Sequence, residues 1–70
     1  MRVEVETLAP GGSPRRFYAG KRRVEVAAIQ ARWREPGQRC FHVLGDDGSD
    51  YLLRHYPAVG RWTADAKHLP

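Results

Sequence analysis

Arg15, Arg16, Lys21, Arg22 and Arg23 crowd around Gly20, with Tyr18 among them. Cationic groups at this density attract phosphate, and an aromatic ring beside them offers a face on which a base can stack. These six residues are the candidate nucleic-acid-binding set. The asymmetry extends further along the chain. Eight of the twelve basic residues lie between positions 15 and 39, opposed there only by Glu25 and Glu35, so this stretch carries +6 and the rest of the chain −2. A lopsided basic field on a small domain favours polyanionic partners. The same residues also suit two other roles. Charged side chains on a strand discourage edge-to-edge pairing, and Arg is favoured in protein interfaces.

Other reactive residues form weaker patterns. Cys40 and His42 share strand parity, and His55 falls on the following strand, with His68 near the end of the chain. A zinc site needs three or four converging ligands at defined spacings, and no Cys-x-x-Cys pair is present. Cys40 and His42 also imitate a nucleophile and its base, but no motif supplies an oxyanion hole. Asp46, Asp47 and Asp50 flank Gly48, where Asp serves a turn by bonding nearby backbone. A calcium loop would need more ligands and a closing Glu. No Gly-rich phosphate loop occurs. The expectation is therefore a non-enzymatic chain with no catalytic residues, metal or cofactor.

The elements that must position these residues read as strands. Met1, Val3 and Val5 alternate with Arg2, Glu4 and Glu6, a period of two that marks a half-buried strand. Pro10 to Pro14 breaks it with a loop. Arg15 to Ala19 forms a second strand, and Gly20-Lys21 suits a two-residue hairpin turn. In Arg22 to Glu35, Val24 and Val26 share one parity while Ile29 and Trp33 have the other. A β-bulge near Ala27-Ala28 within a long bent strand accounts for this, as does a helical turn over 27–33; the bent strand is preferred. Pro36-Gly37 turns the chain, and Arg39 to Leu44 and Asp50 to His55 flank the Asp47-Gly48 hairpin signal. Arg61 to Thr63 begins a last strand. These spacings predict an all-β fold, a curled antiparallel sheet or small open barrel of five to six strands. One domain over 1–64 and a frayed tail over 65–70 are expected. Phe17, Val24, Phe41, Val43, Tyr51 and Trp62 should share the core, and both Trp33 and Trp62 read as core residues.

Phe17-x-x-Gly20-x-Arg22-Arg23-Val24-x-Val26, Trp33-Arg34-Glu35, Arg39-x-Phe41-x-Val43, Asp47-Gly48, Tyr51-Leu52-Leu53 and Gly60-Arg61-Trp62 follow one another in a distinctive order. This order resembles a small uncharacterised bacterial all-β domain family that occurs as free-standing short proteins. Its second half is also similar to the C-terminal tail of actinobacterial mutagenesis proteins related to Y-family DNA polymerases, which lack polymerase activity and act in translesion repair complexes. The resemblance covers roughly residues 14 to 64 and implies an association with DNA repair. No polymerase-like portion accompanies it here.

The lone Cys40 allows no internal disulfide and fits a reducing cytoplasm. The first eight residues contain no continuous apolar run, so no secretory signal is expected, and no stretch is long enough to span a membrane. The sequence thus points to a cytoplasmic binding module whose partner is nucleic acid or a nucleic-acid-processing protein. The alternative is a protein-interaction module that uses an exposed strand edge, by which it could also form a homodimer.

Overall fold

Alternation along each segment decides which side chains turn inward, and six strands result. The computed structural model describes residues 1–66. Its strands are β1 Arg2–Thr7, β2 Pro14–Ala19, β3 Arg22–Glu35, β4 Gln38–Gly45, β5 Asp50–Tyr56 and β6 Arg61–Ala66, with a single 3₁₀ turn at Pro57–Val59. Each strand pairs antiparallel with the next, and β6 returns to β1. The barrel is therefore closed rather than open. The β1–β6 seam is short, with Arg2 opposite Thr63 and Val3 opposite Trp62, and Ala64 N–H donates to the Met1 carbonyl. The expected small barrel of five to six strands is thus present with six and closed, and β1 continues to Thr7 beyond the seam.

The core takes one residue or more from every strand: Val3, Phe17, Val24, Phe41, Val43, Leu53, Trp62 and Ala64. Tyr51 packs against it and meets Phe17 edge-on at 5.0 Å between ring centroids. The expected core set is thus brought together. Gly45 must be small. A Cβ there would sit 2.8 Å from Val24 Cγ1 and 3.0 Å from the Tyr51 ring.

β3 is one continuous strand that changes partner midway. Arg22–Glu25 pair with β2, and Val26–Glu35 pair with β4. Its register shifts between Val26 and Ala28. Val26 and Ile29 both pack on the core, so a bulge, not a helical turn, reconciles their parities. A second shift lies between Ile29 and Ala31. This one reverses the faces again, placing Arg32 beside Phe41 and Trp33 beside Cys40. Trp62 is buried at 9% exposure, whereas Trp33 is 39% exposed. The core assignment for Trp33 is therefore corrected.

Asp65 and Ala66 continue β6 opposite Leu52 and Tyr51. The expected tail thus starts no earlier than residue 67, and 67–70, including His68, lie outside the described residues. Among the described residues, no helix is long and apolar enough to cross a membrane.

Candidate nucleic-acid interface

The β2–β3 hairpin holds all six candidate residues, but their environments differ. Register places Arg16 opposite Glu25 and Tyr18 opposite Arg23, all on the outer face, while Phe17 and Val24 turn inward. Arg16 donates from Nε to Glu25 Oε2 at 3.0 Å and approaches Glu6 Oε2 at 3.5 Å through Nη1. The Tyr18 hydroxyl donates to the same Glu6 oxygen at 2.6 Å. That bond, with Arg16 beside it, holds the Glu6 carboxyl below its ordinary pKa. Arg22 meets Asp47 across the base of the barrel. Asp47 also accepts from the Tyr51 hydroxyl at 2.5 Å and from the Ser49 backbone, and these bonds lower its pKa. Arg15 is the extra residue where β2 shifts register against β1, and it is exposed. Arg15, Lys21 and Arg23 meet no carboxylate among the described residues. The candidate set is contiguous in sequence, yet two of its cations are neutralised and its aromatic is tied to an acid.

The β3–β4 hairpin is built differently. Arg34 lies directly opposite Arg39, and Arg32 lies opposite Phe41, so three guanidinium-bearing residues share one face. None of the three pairs with a carboxylate among the described residues. Arg32 instead donates to Ser13 Oγ at 3.2 Å, and Arg39 donates to the Gly11 carbonyl at 2.9 Å. The β1–β2 loop thus steers these side chains without discharging them. The Arg39 guanidinium carbon lies 5.3 Å from the Phe41 ring centroid, within cation–π range. A depression of about 310 Å³ opens here, lined by Arg32, Trp33, Arg34, Arg39, Cys40 and Phe41.

Trp33 occupies the opposite face of this hairpin, above Cys40. Its indole Nε1–H donates to Glu35 Oε2 at 2.9 Å, and the Cys40 thiol lies 3.6 Å from the same oxygen. The Trp33 bond lowers the Glu35 pKa, with a further contribution from Cys40. Burial raises the Cys40 pKa, and the Glu35 bond adds to the effect. A buried, protonated thiol is a poor nucleophile.

The histidines do not converge with it. His42 contacts Asp50 at 3.0 Å. His55 faces the interior side, stacked on Trp62 with centroids 4.4 Å apart, and its Nδ1 is buried without a partner. Burial, then the nearby Arg39 charge, lowers the His55 pKa. Among the described residues, no three His, Cys, Asp or Glu side chains are grouped to hold a metal ion.

The hairpin cluster was already visible as charge in the 15–39 band, but not as a site. Its signal was the pair Arg34 and Arg39 flanking Pro36-Gly37, which a tight hairpin brings face to face. Comparison with family models, with curated proteins and with solved structures found no match to this chain.

Proposed function

We propose that this chain is a non-enzymatic, cytoplasmic module that binds nucleic acid, or serves a nucleic-acid-processing complex such as one for DNA repair, through the β3–β4 hairpin. The observation that supports this most directly is the Arg34–Arg39 pair. Like charges directly opposite across a ladder are destabilising, and here a third arginine, Arg32, adds to them on the same face. A protein-only explanation would place a carboxylate nearby, as the β2–β3 hairpin does. A phosphate backbone supplies the missing negative charge, and Arg suits phosphate because its planar fork bonds two oxygens at once.

Fluorescence anisotropy with labelled oligonucleotides at low salt tests the reading. Three phosphate contacts give a salt slope of about −2 on single strands. Arg32→Glu combined with Arg34→Glu should abolish binding without unfolding the chain, since both positions are exposed. Absence of binding at about 100 μM protein, within the range of ordinary non-specific affinity, would remove the proposal.

A second reading has its own observation. β1 pairs with β6 only at Arg2 and Val3, and beyond the seam a groove of about 720 Å³ runs along Glu4 and Val5 towards Gly60 and Arg61. The ladder alternation that aims the Met1 carbonyl at β6 aims the backbone groups of Val5 into this groove. An extended strand, from a partner or a second copy, would find unpaired bonding groups there. Binding of that kind is carried by backbone hydrogen bonds and persists in high salt, which separates it from phosphate binding.

A further inference from the structure

Trp33 is the largest aromatic side chain left exposed, and it is held in place. Its indole N–H is committed to Glu35, its register partner Cys40 is fully buried beneath the outer face, and the residue remains 39% exposed. An aromatic that merely covered a thiol would not need a carboxylate to fix its orientation. A ring fixed in this way has lost its rotamer freedom before any ligand arrives, so stacking on it costs less entropy.

The free edge of β3 places this ring within reach of the arginines. β3 pairs with β2 only as far as Glu25, and from Ala28 to Glu35 its ladder runs to β4 alone. The β1–β2 loop meets Arg32 and Arg39 on the arginine face, and no strand ladder occupies the other edge of β3 past Glu25. A chain lying along it can set phosphates against Arg32 and Arg34 on one face and turn a base onto Trp33 on the other. In a duplex the bases are stacked on one another and are not free to turn.

We infer that Trp33 is a base-stacking platform and that the hairpin ligand is single-stranded nucleic acid, a deepening that rests on the phosphate-binding reading above. The contact is sequence-tolerant, because every base presents a π-face. It also gives a direct optical readout. The other tryptophan, Trp62, is buried and stacked on His55, so a change in emission on binding reports Trp33.

The experiment titrates the whole chain with a 15-nucleotide oligo-dT and with a 15-base-pair duplex, following both anisotropy and tryptophan emission. The single strand should bind tighter and quench emission. Trp33→Ala should weaken single-strand binding roughly 5- to 150-fold, the range that stacking one base supplies, and leave duplex affinity unchanged. Trp33→Phe keeps a ring over Cys40 and should retain most of the affinity, which separates lost stacking from lost folding. If both nucleic acids bind, and Trp33→Ala and Trp33→Phe match the parent without quenching, the stacking assignment fails while the arginine reading stands. If neither nucleic acid binds, both fall.

Discussion

At the β2–β3 hairpin, Arg16 ends between Glu25 and Glu6, and Arg22 ends on Asp47. At the β3–β4 hairpin, Arg32 and Arg39 end on a hydroxyl and a carbonyl, and Arg34 has no partner among the described residues. The first region pairs two of its five cations with carboxylates and leaves Arg15, Lys21 and Arg23 unpaired among the described residues, whereas the second pairs none of its three. In the first, Glu25 lies across the hairpin itself, Glu6 comes from neighbouring β1 and Asp47 from the β4–β5 turn, and the charges become part of the fold's own outer surface. In the second, the hairpin tip extends past its neighbours, and no acidic strand reaches the three arginines. Density of basic residues along a chain is therefore a poor guide to positive potential. What counts is which strand ends up alongside.

Substitutions in each hairpin test the contrast directly. The largest effect should come from Arg32→Glu with Arg34→Glu, which should weaken oligonucleotide binding by about 100-fold or more at low salt. An unchanged affinity, measured by anisotropy, would erase the distinction between the hairpins. Next, Gly45→Ala tests whether the base of the barrel is structural. Its Cβ would press on Val24 and Tyr51, and overpacking of this kind costs roughly 1–3 kcal/mol. Urea denaturation should show that loss, with oligonucleotide affinity retained once the chain is folded.

A smaller effect separates the regions by pH. The depressed pKa of Asp47 contributes stability that is present above its unfolded value, about 3.9, and is lost as pH falls through the lower folded value. His55 acts in a different window. Its pKa is lowered by burial, so the unfolded chain takes up the proton first, and stability falls as pH drops below about 6.5 until the folded pKa is reached. His55→Phe should flatten the decline in urea midpoint below neutral pH, leaving the acid limb near pH 4 in place. Smallest of all, Lys21→Ala with Arg23→Ala should change affinity by less than about 3-fold, because phosphate contact is assigned elsewhere. A loss equal to that of the hairpin reversal would restore the β2–β3 set as the binding surface.

The contrast also explains what was legible in the sequence. Strand positions and the shared core followed from period-two alternation and turn residues. The parity conflict between Val26 and Ile29 announced the first bulge, because an apolar residue stood on each side of it. The second bulge had no such marker. Gln30 and Ala31 carry no strong inward or outward preference, so Ile29 and Trp33 read as one face and the pattern alone points Trp33 into the core. Closure was hidden for a related reason, since nothing in Arg2-Val3 names Trp62 and Thr63 as partners. Ion pairs such as Arg22 with Asp47 depend on where the β4–β5 turn falls against β3, which no local pattern encodes.

The seam between β1 and β6 carries a consequence for how the chain assembles. It joins Arg2 to Thr63 and Val3 to Trp62, closing a loop of about sixty residues with an entropy cost larger than any of the hairpins incurs. The five hairpin ladders can each zip from a local turn, whereas the seam has no turn to start from. Barrel closure should be the final event in folding and the first to reverse. Amide exchange should then show Val3 and Ala64 opening well before Phe41 and Leu53, so that the native state breathes through a defined slit instead of melting from its loops.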